Sequence, residues 1–223
     1  MIDESAKKRY ISLFKFLFPI ILGFTVYITV GFLMSESMRI KYFPLITAYF
    51  FPPFGKESVI PSGIIAGFHP LVIALSIAFV DIIIALFLLW NYDYAKKIPL
   101  VGKFMEKVEK IGKNSSNKYG WIKPLRFIGI VLFVIVPFQG SGGLVGSIVG
   151  RLVGMKPINT FYAISIGAIS GTILIAYFAD AILSVFLKNF LYGLLLAIII
   201  LVIVFMIYIY KRNKDSEKKN KKS

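Results

Sequence analysis

The sequence contains no cysteine and a single histidine, His69. Without cysteine the chain has neither disulfides nor thiolate metal ligands, and one histidine cannot build a multi-histidine metal centre. Acidic residues are also scarce, with 11 Asp and Glu against 26 Lys and Arg. Phosphate-binding loops, nucleophile elbows and zinc motifs are missing from the sequence as well. We therefore expect a protein that is not an enzyme and that uses no metal or cofactor.

Apolar residues dominate the rest of the sequence. They make up 57% of the 223 residues, and the mean hydropathy is +0.78. A water-soluble chain of this size would leave roughly 30% of its surface exposed, which the few polar residues could not cover. We therefore predict an all-α polytopic membrane protein. A spanning helix needs about 20 mostly apolar residues, and four stretches meet that requirement: 10–34, 69–91, 158–186 and 190–210.

Two further apolar segments, 44–67 and 124–154, are interrupted by proline and glycine. Broken backbone at membrane depth leaves N–H and C=O groups unpaired, and it is tolerated where protein buries it or water reaches it. Each segment is therefore predicted to be a re-entrant helical hairpin on a substrate path, with two kinked full spans as the alternative. The residues predicted to form the turns and the path are Pro61 in the first segment and Pro137, Gln139, Gly140, Ser141, Gly142 and Gly143 in the second.

The basic residues indicate the topology. Of the 26, 19 lie in three groups, within residues 7–9, 96–126 and 211–222. Positive residues favour the cytoplasmic side, so we expect a protein of the cell membrane with both termini and the loop at 93–123 in the cytoplasm. Four full spans place both termini and the loop in the cytoplasm only if neither broken segment crosses the membrane. Segment 44–67 must then enter and leave on the outside, and segment 124–154 must enter and leave on the inside. In the loop, apolar and basic residues at helical spacing predict an amphipathic surface helix, and the basic tail at 211–223 is expected to be disordered.

A shift of 87 residues relates the two broken segments. It aligns residues 53–70 with 140–157 and matches four backbone-special pairs: Gly55 with Gly142, Gly63 with Gly150, Gly67 with Gly154, and Pro70 with Pro157. Because the predicted topology gives the segments opposite orientations, the match indicates an inverted repeat of the kind found in secondary transporters. Chance similarity between two glycine-rich turns is the alternative. Glycine also recurs every four residues from 142 to 154, which predicts close packing on a neighbouring helix.

Few ionisable residues fall within the apolar segments, and these are the candidates for function. Asp81 lies near the middle of the second span, with no other charged residue within ten positions, where an unpaired aspartate costs about 3 kcal/mol to insert. Glu57 lies near the tip of the first broken segment, and pairing with Lys56 at an aqueous surface is the alternative to a functional role. We expect Asp81 and Glu57, with Asp180 near the outer end of the third span, to couple protons or substrate. Arg151 is expected either to bind phosphate on the substrate path or to anchor its helix among headgroups.

The chain resembles the small multidrug export family of prokaryotic membrane proteins in three stretches: Lys56-Glu57-Ser58-Val59-Ile60-Pro61-Ser62-Gly63, residues 136–146, and residues 152–155. The resemblance covers most of residues 44–185 and implies export across a membrane. More distantly, the second broken segment is similar to that of the DedA/VTT superfamily, whose members are implicated in lipid translocation and carry opposed re-entrant loops. That superfamily typically has an arginine in this motif, where the chain has Ser141, Gly142 and Gly143.

Three functions remain as alternatives. The first is proton-coupled export of a small or amphipathic solute, with Glu57 and Asp81 as coupling acids. The second is a lipid flippase or scramblase, which a lateral groove open to lipid would favour. The third is a membrane scaffold that transports nothing. The expected partners are membrane lipids and a small-molecule or lipid substrate, not nucleic acid, with homodimer formation left open.

Overall fold

The computed structural model describes residues 4–51, 53–92, 94, 123–137 and 142–188, together with eight helical residues between 191 and 206. All regular structure in these residues is helical. The helices are α1 (Glu4–Leu33), α2 (Glu36–Ala48), α3 (Lys56–Ile65), α4 (Pro70–Trp90), α5 (Lys123–Ile135), α6 (Gly143–Leu152) and α7 (Pro157–Lys188). Three segments of the described chain are long and apolar enough to cross a membrane: Arg9–Leu33, Pro70–Trp90 and Pro157–Lys188. The chain is therefore a multi-pass membrane protein.

These three segments correspond to the first three predicted spans. Three other predicted regions lie wholly or largely outside the described residues. They are the amphipathic helix within 93–123, the fourth span at 190–210 and the basic tail at 211–223.

Helices α1 and α4 run antiparallel along their length. Asn91, which follows α4, donates from its side-chain amide to the Lys15 carbonyl at 3.0 Å, and the rings of Phe16 and Phe87 lie 5.3 Å apart. Further along, Gly23 faces the side chain of Ile83, 3.1 Å from the position that a Cβ atom would occupy. Much of the remaining α1 surface consists of exposed aromatic and aliphatic side chains, as expected of a helix that faces lipid.

The first broken segment begins earlier than the sequence indicates. Helix α2 starts at Glu36 and contains Pro44 in its interior, whereas the sequence pattern predicts that the segment starts at residue 44. An interior proline removes one backbone hydrogen bond but does not always end a helix, and neighbouring helices in a membrane protein help to satisfy the freed carbonyl. The α2 and α3 helices together are called the first hairpin below, and α5 and α6 the second hairpin.

The helix boundaries match at the same 87-residue shift, over a longer part of the chain than the sequence match. Adding 87 to the bounds of α2 and α3 gives the bounds of α5 and α6, and adding 87 to the first residue of α4 gives the first residue of α7. The ends of α3 and α6 also have the same backbone geometry. Gly67 and Gly154 have positive φ angles of 97° and 81°, and in each case the next residue donates to a carbonyl five positions earlier at 3.0 Å. This is the Schellman turn, in which glycine avoids the steric cost of a left-handed conformation.

The chain divides into two units, Met1–Tyr177 and Phe178–Ser223. The first unit has a core formed by α4, α5 and α7 with Met155, and its buried members are Ala78, Ala85, Ile130, Val134, Met155, Ala163, Ile164 and Ala168. In this unit the glycine-spaced face of α6 packs on α7, with Gly146 against Ile164 and Gly150 against Thr160. In the second unit, Gly193 lies against the side chain of Phe186.

Candidate functional site around Asp81

Asp81 lies at the twelfth position of the 21-residue helix α4, close to its midpoint. A helix of this length is about 30 Å long, which matches the hydrocarbon thickness of a bilayer. The Asp81 side chain is only 1% exposed. A carboxyl group is therefore buried in the middle of a helix that is long enough to span the membrane.

Two hydrogen bonds converge on one oxygen of this carboxyl group. The Tyr49 hydroxyl, just after α2, donates to Asp81 Oδ1 at 2.8 Å. The backbone N–H of Gly143, the first residue of α6, donates to the same oxygen at 2.8 Å. The second oxygen, Oδ2, is buried and has no hydrogen-bond partner among the described residues. Asp81 thus joins the turn of the first hairpin to the turn of the second, and it keeps one acceptor unused.

Glycine is required where α6 meets α4. A Cβ atom on Gly143 would overlap the backbone carbonyl of Asp81, and a Cβ atom on Gly142 would overlap Asp81 Oδ1 and lie 2.9 Å from the Tyr49 hydroxyl. Only a bare backbone brings the α6 N-terminus close enough for its N–H group to reach the carboxyl group. Exposed N–H groups at a helix N-terminus favour a negative charge, so this end of α6 is suited to an aspartate carboxylate.

From Asp81, α6 runs along the second half of α4. Near the end of α6 the guanidinium group of Arg151 lies 4.9 Å from the ring centroid of Tyr92, which follows α4. Leu152 packs against Tyr92 as well. Arg151 also donates to the Met155 carbonyl at 2.8 Å. Arg151 therefore connects the C-terminal end of α6 to the C-terminal end of α4, away from Asp81.

The first hairpin covers the other half of α4. Tyr42 donates to Ser76 Oγ at 3.1 Å, so α2 runs parallel to α4 from that contact to Tyr49 and Asp81. Helix α3 then returns, and Gly63 packs directly on Ile73. Helices α3 and α6 have ten residues each, so together they match the length of α4. They extend in opposite directions from the level of Asp81, with both N-termini near it.

The N-terminus of α3 adds two ionisable side chains to this place. Lys56 is 2% exposed, and its ammonium group donates a hydrogen bond to the carbonyl of Val134 in the last turn of α5. Lys56 also interacts electrostatically with Asp81 and Glu57. Glu57 is half-buried, its carboxyl group lies over Gly55, and its Oε2 atom has no hydrogen-bond partner among the described residues. The side chains of Tyr49, Lys56, Glu57 and Asp81 are called the Asp81 cluster below.

The structure brings some of the predicted site residues together and separates others. Glu57, Asp81, Gly142 and Gly143 meet at the cluster. Pro61 lies inside α3, Pro137 is exposed after α5, and Arg151 lies at the opposite end of α6. Asp180 is half-buried on α7 and belongs to the second unit. Three predicted turn residues fall outside the described residues: Gln139, Gly140 and Ser141.

Sequence reasoning missed two members of the cluster. Lys56 is predicted from the sequence only as a surface partner of Glu57, because the charge of a lysine near a turn commonly reaches water. Tyr49 gave no signal, because tyrosine is common in apolar segments and its 32-residue separation from Asp81 gives no pattern. The Val134 carbonyl, which accepts from Lys56, could not be found because every residue has a carbonyl group.

A family model described as "Putative small multi-drug export protein" matches residues 57–174, which is more than half of the chain. The matched region contains Glu57, Asp81 and Gly143, and it runs from α3 into α7. No curated protein and no solved structure matches the chain significantly.

Proposed function

Because the chain belongs to the family of small multi-drug export proteins, we propose that it is a proton-coupled exporter of a small or amphipathic solute, with Asp81 as its coupling carboxyl group. One observation carries the proposal. The Tyr49 hydroxyl, at the end of α2 in the first hairpin, and the N-terminus of α6 in the second hairpin meet at a buried aspartate in the middle of a spanning helix. Ionisable residues at this depth are costly and typically serve transport or proton relay.

The two hairpins are proposed to be re-entrant and to form an inverted repeat. In support, the first hairpin contacts α4 from Ile73 to Asp81 and the second contacts it from Asp81 to Tyr92. A ten-residue helix is about 15 Å long, half the thickness of the hydrocarbon core. The equal helix bounds and equal Schellman turns at a shift of 87 residues support a common origin of the hairpins. In secondary transporters, paired broken helices of this kind meet at a site near the midplane.

Cysteine labelling tests the re-entrant arrangement, and the cysteine-free sequence means that only introduced thiols react. Exposed positions flank both hairpins: Ser37 and His69 the first, Leu125 and Lys156 the second. We expect Ser37→Cys and His69→Cys to react with a membrane-impermeant maleimide from outside intact cells. We expect Leu125→Cys and Lys156→Cys to react only in inverted vesicles, since the basic loop between the halves is proposed to be cytoplasmic. Opposite sidedness of Ser37→Cys and His69→Cys would mean that the first hairpin crosses the membrane.

In the proposed mechanism, a proton and the solute compete for the Asp81 cluster, and the solute binds at the Asp81 carboxylate. An ionised Asp81 accepts strong hydrogen bonds from Gly143 and Tyr49, because bonds to a charged acceptor are about twice as strong as neutral ones. A solute that binds at the carboxylate competes for that charge and weakens the attachment of both hairpin turns to α4. Each hairpin occupies one half of the proposed membrane path, so release of one turn at a time would open the cluster to one side at a time. Arg151 acts in this scheme as a positioning residue that keeps the far end of α6 on α4.

The lipid flippase alternative lacks a corresponding observation. It requires a lateral groove that opens from the cluster to lipid. A groove of about 360 Å³ does occur among the described residues, lined by Tyr10, Ile11, Phe14, Lys15 and Trp90. It lies at the end of α4, nine residues and about 14 Å from Asp81 along the helix, so it does not open onto the cluster.

Reconstitution into liposomes tests the proposed function. Vesicles are loaded with ethidium, a permanently charged cation, and an outside-acidic pH gradient is imposed. We expect the protein to accelerate ethidium release at least about tenfold over protein-free vesicles, a difference equivalent to about 1.4 kcal/mol in the barrier, and we expect an ionophore that collapses the gradient to abolish the effect. A fluorescent phospholipid in the same vesicles reports on the alternative. Release that ignores the pH gradient, combined with rapid lipid flip, would refute proton-coupled export and favour lipid translocation.

A further inference from the structure

We propose that the Lys56 ammonium group is the internal counter-cation of the Asp81 cluster, and that a transported cation enters the cluster as Lys56 gives up one proton. This inference rests on the proposed export function and names both the charge of the substrate and the group that carries the exchanged proton. It concerns a residue that the sequence analysis did not assign to the site.

The position of Lys56 carries the argument. Its side chain is almost completely buried, and its ammonium group bonds to the Val134 carbonyl and interacts electrostatically with Asp81 and Glu57. A buried ammonium group is tolerated only when opposite charge and hydrogen-bond acceptors surround it. The Lys56 ammonium group is a cation that is covalently part of the protein. It lies where the protein supplies acceptors for a positive charge.

Two acceptors in the cluster are unused, and they indicate where a second cation would bind. Asp81 Oδ2 and Glu57 Oε2 are buried and have no hydrogen-bond partner among the described residues. A cation at these oxygens would share a buried cluster with the Lys56 ammonium, and like charges repel more strongly in a weakly polar interior than in water. The two cations therefore exclude each other unless Lys56 becomes neutral.

The charge balance follows from this exclusion. The Lys56 ammonium gives one proton to water and becomes an amine, while one monovalent cation enters, so the net charge of the cluster is unchanged. The neutral amine keeps two N–H groups, enough to retain its bond to Val134. Among the described residues, the titratable groups that interact with Lys56 are Glu57 from α3 and Asp81 from α4, and Tyr49 from the end of α2 interacts with both carboxyl groups. Helix α6 contributes the Gly143 N–H and helix α5 the Val134 carbonyl, neither of which titrates.

Calorimetry of ethidium binding to the full-length protein in detergent tests the proposal. Titrations in two buffers with different ionisation enthalpies give the number of protons released per ethidium bound. The wild-type protein is expected to release about one proton at neutral pH, and its affinity should rise up to about tenfold per pH unit while Lys56 is protonated in the free protein. Binding without proton release in the wild-type protein would overturn the proposal before any variant is made.

Two substitutions identify the group that loses the proton. Lys56→Arg keeps the charge and the donor to Val134 but cannot deprotonate, so it should release no proton and bind ethidium at least about tenfold more weakly. Lys56→Gln removes the competing charge, so it should bind with no proton release and with affinity at least equal to that of the wild type at neutral pH. Proton release that persists in either variant would assign the proton to a carboxyl group and refute the role of Lys56. These outcomes are separate from the export function, which fails only if the pH gradient does not drive ethidium out of the liposomes.

Discussion

Asp81→Asn is expected to reduce proton-driven ethidium export to the rate of protein-free vesicles. The asparagine amide has nearly the same shape as the carboxyl group, and its oxygen can still accept from Tyr49 and Gly143 at the positions of the two 2.8 Å bonds. It cannot carry a negative charge or take up a proton. The substitution therefore separates the fold, which the amide preserves, from proton coupling, which it removes. The measurement is initial ethidium release under an outside-acidic gradient, at equal protein-to-lipid ratio.

Asp180→Asn is the matched control for this experiment. It makes the same chemical change on a half-buried aspartate of α7, and we expect export to stay within about twofold of wild type, as for a surface substitution that leaves the transport path intact. Asp81→Glu adds one methylene to a fully buried site and should lower the export rate without abolishing its dependence on the pH gradient. Unchanged gradient-driven export in Asp81→Asn would exclude Asp81 as the coupling group. Loss of export in Asp180→Asn would move the coupling site toward the second unit.

The sequence alone reveals those site residues that are unusual in an apolar membrane segment. A charged residue in a long apolar helix and a run of glycines in an apolar segment are both costly in lipid, so Asp81, Glu57, Gly142 and Gly143 are visible without a structure. Tyr49 and Lys56 are less unusual at their positions. Tyrosine is ordinary in a membrane helix, and lysine near a predicted turn is commonly a surface residue whose charge reaches water. Their roles depend on three-dimensional neighbours from α4 and α5, which no local pattern encodes.

Some helix boundaries could also be predicted from the sequence, and others could not. The ends of α3 and α6 were visible because Gly67 and Gly154 adopt positive φ angles that other residues disfavour, and the sequence match across 87 residues located both. The start of α2 at Glu36 was not visible. Its proline, Pro44, normally signals a helix start or a break, and here it lies within the helix.

The two halves of the chain contribute different chemistry at equivalent positions. At a shift of 87 residues, Lys56 corresponds to Gly143 and Asp81 corresponds to Ala168. The first half supplies the ionisable side chains, and the second half supplies a bare helix N-terminus that binds one of them. Only one of the two segments needs a charged side chain, because the other can meet the charge with backbone N–H groups. This division explains why α6 meets Asp81 with a glycine N–H group rather than with a charged side chain.

Gly143→Ala is therefore expected to disrupt the site through sterics alone. The added methyl group would overlap the backbone carbonyl of Asp81, which cannot rotate away as a side chain could, so α6 must move and its N–H group must leave Asp81 Oδ1. Overpacking and the lost hydrogen bond together should cost about 3 kcal/mol.

For a chain of this size, a destabilisation of that magnitude corresponds to a fall of roughly 6–12 °C in the apparent melting temperature in detergent. Gradient-driven ethidium export should fall with it, since the second hairpin would no longer be attached to the coupling carboxyl group. Gly129→Ala is the matched control, because a methyl group on Gly129 in α5 would meet no atom from outside its own helix turn within 4 Å in the described part of the chain. Alanine also favours a helix interior by up to about 1 kcal/mol over glycine. It should melt at or above the wild-type temperature and export normally. If Gly143→Ala melted and transported like Gly129→Ala, the close contact between α6 and Asp81 could not be part of the transport mechanism.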